Sequence, residues 1–121
     1  MTNSDSWWVV CLCAGWCGVC REWQPAFAQL AAAHPGVRFA WVDVEDEAEA
    51  MGELDIETFP TVLVAQEGQV RFMGPVVPAA AQLSRLLASL QAQRAPAAHG
   101  SPAEQALFAR LRAEVLPRDG T

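Results

Sequence analysis

Apolar and polar positions alternate along this chain in a way that changes period several times, and each change marks an element. Trp7–Cys13 (WWVVCLC) is a continuous apolar run of strand length, suited to a strand buried on both faces. Ala14-Gly15 breaks it. From Gly18 to His34 the spacing turns helical, with Cys20, Trp23, Phe27, Leu30 and Ala31 three or four apart on one face. Pro25 lies inside this helix and predicts a kink; His34-Pro35-Gly36 stops it. Val37–Val44 alternates as a strand does. The acidic stretch that follows predicts a short helix with a weak stripe of Ala48, Met51 and Leu54. Thr61–Ala65 reads as a strand, Glu67-Gly68 as a hairpin turn and Gln69–Met73 as the returning strand. Pro78–Gln93 predicts a helix with Leu83, Leu86, Leu87 and Leu90 inward. Ala95–Pro102 reads as a linker. Ser101 and Glu104 form a capping box with Pro102 at the first helical position, opening a last helix at 103–116 with Leu107, Phe108, Leu111 and Val115 on one stripe.

The resulting order is β-α-β-(α)-β-β-α with an appended helix. A helical crossover makes the first two strands parallel, and the hairpin adds an antiparallel pair. At 121 residues with 52 % hydrophobic and 18 % charged side chains, the chain is one domain with a core of its own. The net charge of −6 excludes a nucleic-acid module working through a basic footprint. Eight of the fourteen acids and none of the eight bases lie between Asp43 and Glu57, so the rest of the chain carries about +2. All the bases are Arg. Without Lys or Tyr there is no Schiff-base lysine and no tyrosine acid. The apolar run Trp7–Trp16 is too short to span a bilayer and has no basic segment before it, so neither a membrane span nor a signal peptide is expected, and the expected location is cytoplasmic.

The chemistry concentrates at Cys17-Gly18-Val19-Cys20, on the junction of the first strand and first helix. The helix N-terminus favours an anion, which suits Cys17 as an exposed nucleophile, while Cys20 shares the buried face of Trp23 and Phe27. One exposed and one shielded sulfur is a layout for thiol–disulfide exchange. Cys11 and Cys13 point to the same side of their strand. They read first as small buried hydrophobes, with a redox relay or a four-thiolate metal site as sharper alternatives. No glycine-rich phosphate loop follows a strand, and no bound cofactor is expected.

Trp16-Cys17-Gly18-Val19-Cys20-Arg21 resembles the WCGPCK motif of the thioredoxin family. Pro25 is similar to the family's helix-kinking proline, Phe59-Pro60-Thr61 to its cis-proline loop, Gly68 to its hairpin turn and Gly74 to the glycine lining its substrate groove. The resemblance runs from Trp7 to Leu90. It implies a thioredoxin-like α/β fold, a four-stranded mixed sheet flanked by helices. With only six residues before Trp7, the usual N-terminal strand and helix are expected to be absent. The implied domain is 1–94, followed by the linker 95–102 and the appended helix 103–116, packed on the domain or on a partner.

The resemblance further implies that Cys17 attacks a substrate disulfide and Cys20 resolves the intermediate. Trp16, Gly18, Val19, Phe59, Pro60 (in cis), Thr61 and Gly74 would form the substrate surface. The implied partners are disulfide-containing proteins and an electron donor of thioredoxin-reductase type, with no nucleic acid and no membrane; an open edge at Val37–Asp43 admits a homodimer. Two departures stand out. Val19 replaces the usual Pro, and Cys11 occupies the position of a buried Asp. A non-catalytic interaction module and a metal-handling protein using Cys11, Cys13, Cys17 and Cys20 are the rival readings.

Overall fold

The computed structural model describes residues 7–15, 17–52, 56, 58–92, 101–114 and 116. Four strands and four helices follow one another: β1 (Trp7–Cys13), α1 (Gly18–Ala33), β2 (Val37–Asp43), α2 (Ala48–Met51), β3 (Thr61–Gln66), β4 (Gln69–Pro75), α3 (Ala80–Ala92) and α4 (Pro102–Glu114). The sheet order is β2-β1-β3-β4. β1 runs parallel to β2 and antiparallel to β3, and β3 pairs antiparallel with β4. This is the mixed four-stranded sheet that the crossover and hairpin predict.

β1 explains the arrangement. It is central, and all seven of its residues are buried. Its odd-numbered side chains (Trp7, Val9, Cys11, Cys13) pack with Cys20, Trp23, Phe27 and Leu30 of α1 and with Leu83, Leu87 and Leu90 of α3. Its even-numbered side chains (Trp8, Val10, Leu12) face the other layer, made by α2 and α4 with Ala50, Met51, Leu107, Phe108 and Leu111. A strand with helices over both faces has no polar side, which is why it reads as an unbroken apolar run.

The β3–β4 turn places Glu67 at φ 53° and Gly68 at φ 87°. Two consecutive residues at positive φ give the twist that a two-residue hairpin needs, and the glycine adopts it without strain. The strip after β2 departs from the expected stripe. Ala50 and Met51 are the buried residues of α2, while Ala48 is exposed; Leu54 lies outside the described residues. The helix is only four residues long and ends at Gly52, φ 65°, where an added Cβ would stand 2.8 Å from Arg110 Nη2. Arg110 needs that space. Its Nε donates to Ala50 O at 2.7 Å and its Nη2 to Met51 O at 3.2 Å, so α4 caps the end of α2.

α4 begins with the capping box written in its sequence. Ser101 N donates to Glu104 Oε1 and Glu104 N donates to Ser101 Oγ, at 3.0 and 3.1 Å. Its Gln105 reaches the hairpin, accepting from Val70 N and donating to Gly68 O. Leu107, Phe108 and Leu111 are at most 1 % exposed. Val115, the fourth residue of the expected stripe, lies outside the described residues, as do residues 95–100 of the expected linker.

Candidate active site

β1 ends at Cys13, and the chain turns through Ala14 and Gly15 into α1. Cys17 is the N-cap of α1, with φ −83° and ψ 118°, and no side chain caps the helix. Its N–H donates to Ala14 O at 3.0 Å and its carbonyl accepts from Arg21 N at 3.1 Å. Arg21 Nη1 reaches back to Gly15 O at 3.0 Å and ties the turn to the first turn of the helix. Cys17 is therefore held, half-buried, where free helix N–H groups collect. Gly18 and Val19 are exposed, Val19 by 46 %. Cys20 lies one turn in and is 1 % exposed.

The other wall comes from the start of β3. Leu12 is opposite Thr61 and Cys11 opposite Val62, which in turn is opposite Gly74. Pro60 directly precedes this paired segment. The Phe59–Pro60 peptide bond is cis. Thr61 Oγ1 donates to Thr58 O at 2.6 Å, and Pro60 O accepts from Val76 N at 3.1 Å, joining this loop to the segment after β4. Phe59, Val76 and Cys17 pack on the core cluster that holds Cys13 and Cys20. Between Pro75 and Leu86 lies a pocket of about 220 Å³, lined by Pro75, Val76, Val77, Gln82, Leu83 and Leu86. Trp16, the remaining residue of the expected substrate surface, lies outside the described residues.

The sulfurs depart from the expected Cys17/Cys20 pair. Cys20 is disulfide-bonded to Cys13, with the two Cα atoms 5.9 Å apart, and Cys17 is a free thiol. The reason is directional. Cys20 sits on the buried face of α1, and that face lies against the odd-numbered side of β1, where Cys13 ends the row. The Cα separation falls within the usual disulfide range. Cys17 caps the helix outside this contact. Cys11 is the second free thiol, fully buried, with its Sγ 3.6 Å from Cys13 Sγ. Since Cys13 carries no proton in the disulfide, Cys11 is the donor. Burial pushes the Cys11 thiol up to about 12; the Trp23 indole N–H nearby pulls the other way, without the geometry of a formed hydrogen bond.

Sequence reasoning placed Cys11 and Cys13 on one side of the strand. With α1 over that side, the same reasoning points to a Cys11–Cys20 contact; the structure gives the contact to Cys13 instead, because Cys13 ends the row. Among the described residues no group of three or more His, Cys, Asp or Glu is arranged to hold a metal ion. None of their helices is long and apolar enough to cross a membrane.

A cysteine-bearing strand–helix junction, faced by a proline loop at the head of a β-hairpin, defines a thioredoxin-like site. The thioredoxin family model matches residues 1–91, and the chain belongs to that family. Thioredoxin H-type from Fagopyrum esculentum is 38 % identical over 61 residues, 50 % of this chain and 53 % of that protein. Mitochondrial thioredoxin-3 from Saccharomyces cerevisiae is 35 % identical over 57 residues, 47 % of this chain and 45 % of that protein. The chain thus spans about half the length of the curated relatives it matches. In the solved structures, Fasciola hepatica thioredoxin superposes with a TM-score of 0.64 at 29 % identity, over 72 % of this chain and 83 % of that one.

Proposed function

We propose that this protein is a thiol–disulfide oxidoreductase that exchanges electrons between its active-site cysteines and disulfides of other proteins. The observation that carries the reading is a half-exposed free thiol at a helix N-cap, one turn from a buried cysteine that already engages in a disulfide. In the reducing direction the Cys17 thiolate attacks a substrate disulfide and releases one substrate thiolate. The Cys20 thiol then attacks Cys17 Sγ, releasing the second and leaving Cys17 and Cys20 oxidised. Two electrons pass to the substrate, and an electron donor of thioredoxin-reductase type returns them.

In this reading the cis-proline loop and the pocket beside Val76 supply the docking wall, with Phe59 and Gly74 partly exposed, Pro60 and Thr61 buried, and Gly18 and Val19 exposed at the start of α1. Val77, 57 % exposed, extends that wall. A disulfide in an extended substrate segment is the chemical class that fits. A reducing compartment, the cytoplasm in the first instance, is part of this proposal.

Insulin reduction by dithiothreitol, followed by turbidity, tests it. The wild-type protein is expected to accelerate precipitation catalytically, and Cys17→Ser to abolish the acceleration. An undiminished rate in Cys17→Ser would overturn the reading.

A further inference from the structure

A two-sulfur exchange cycle requires only Cys17 and Cys20, yet Cys20 is bonded to a residue of β1 and a fourth sulfur stands behind that bond. We propose that Cys13 is a third redox cysteine. Once exchange has oxidised Cys17 and Cys20, Cys13 takes over Cys20, carrying the disulfide inward and releasing Cys17 as a free thiol. The proposal rests on the oxidoreductase reading for how the oxidising equivalents enter.

The step is an internal exchange. The Cys13 thiolate attacks Cys20 Sγ; the Cys17–Cys20 bond breaks as the Cys13–Cys20 bond forms. Cys17 leaves as a thiolate and takes up the proton that Cys13 gave up. Nothing is oxidised or reduced overall, because the cluster keeps the two-electron deficit it acquired from the substrate disulfide. The product is the arrangement seen here, with Cys13 and Cys20 each 1 % exposed and Cys17 free.

In the reverse direction Cys17 attacks Cys20 and Cys13 departs as a buried thiolate. Cys11, its Sγ 3.6 Å away, is the polar group placed to receive that charge through its S–H. The thiol of Cys11 is held protonated by its burial, so it serves as a donor and does not compete as a nucleophile.

Two consequences follow. With Cys13 and Cys20 each 1 % exposed, an external reductant reaches the inner disulfide through Cys17. In this state Cys17 also lacks a reduced resolving partner, so a mixed disulfide formed on it persists.

The test maps disulfides in the intact chain. Reduced protein is oxidised with one equivalent of diamide, samples are quenched over time in acid with N-ethylmaleimide, and chymotryptic peptides are identified by mass. Cleavage after Leu12, Trp16 and Trp23 separates Cys11, the peptide Cys13–Trp16 and the peptide Cys17–Trp23. The expected course is an internal link within Cys17–Trp23, replaced by a cross-link between Cys13–Trp16 and Cys17–Trp23 with maleimide on Cys17. In Cys13→Ala the internal link should persist and Cys17 stay unlabelled. If that variant misfolds, the wild-type time course decides alone.

A wild-type map that ends on the internal link, with Cys13 labelled, overturns the relay and leaves the oxidoreductase reading standing. A Cys13–Cys20 link that forms as fast in Cys17→Ser as in wild type also overturns it, marking a static bond. Failure of insulin reduction would instead strike the oxidoreductase reading.

Discussion

Replacing Phe108 with Ala should destabilise the protein more than any exposed substitution in α4. Phe108 is 1 % exposed and is the largest of the fully buried side chains among the described residues. It packs in the layer formed with Trp8, Val10, Leu12, Val42, Leu63 and Val70, where α2 adds only Ala50 and Met51 beside it. A buried aromatic ring removes roughly 150–250 Å² from water; at about 25 cal/mol per Å² that is about 4–6 kcal/mol as an upper bound. Truncation to Ala retains part of that area but leaves a cavity, and measured Phe→Ala costs are about 3–5 kcal/mol. For a chain of this length the loss corresponds to a Tm lower by roughly 10–20 °C. Urea unfolding followed by circular dichroism gives the free energy directly, with Glu114→Gln, at an exposed position of the same helix, expected within about 0.5 kcal/mol of wild type. A loss below about 1 kcal/mol for Phe108→Ala would refute the view that α4 completes this face of the sheet.

Ser101→Ala removes half of the capping box and should cost about 1 kcal/mol, read from the same urea curves. Native iodoacetamide labelling of the oxidised protein should modify Cys17 well before Cys11, since Cys11 is fully buried and its thiol is pushed up to about 12; peptide mapping checks the order. The same shift predicts a pH dependence. The folded state favours the protonated Cys11 thiol, so its contribution to stability is complete below the ordinary thiol value of 9.0 and is lost as pH rises toward about 12, by at most about 1.4 kcal/mol per pH unit. The chain has no Tyr and no Lys to blur this window. Cys11→Ala should flatten the slope between about pH 9 and 10 by comparison with wild type, and an unchanged slope would assign it elsewhere.

The parts of the fold that the sequence made legible are those where one local rule acted alone. The hairpin followed from Glu67-Gly68 between apolar runs, α1 from a stripe ending at His34-Pro35-Gly36, and the capping box from Ser101 and Glu104. α2 was harder because its four residues are too few to establish a period, and the residues that cover Ala50 and Met51 come from α4, some sixty residues away. The cysteines show the same limit. Cys17 and Cys20 are three residues apart in sequence, and a motif reading joins them. Cys11 and Cys13 share the side of β1 that α1 covers, so which sulfur meets Cys20 depends on where along β1 the first turn of α1 lies, a tertiary fact. The start of the acidic stretch forms a local turn at the end of β2, where Asp43 Oδ1 accepts from the N–H groups of Glu45 and Asp46.

The central claim is that Cys17 is the attacking sulfur, and a Cys20→Ser variant mixed with a thionitrobenzoate disulfide tests it most directly. Attack by Cys17 with no resolving thiol on the helix should leave a stable mixed disulfide, seen by mass spectrometry as a thionitrobenzoate adduct on the peptide Cys17–Trp23. An adduct on Cys13 or Cys11 with Cys17 unmodified, or no adduct at all, would contradict the account.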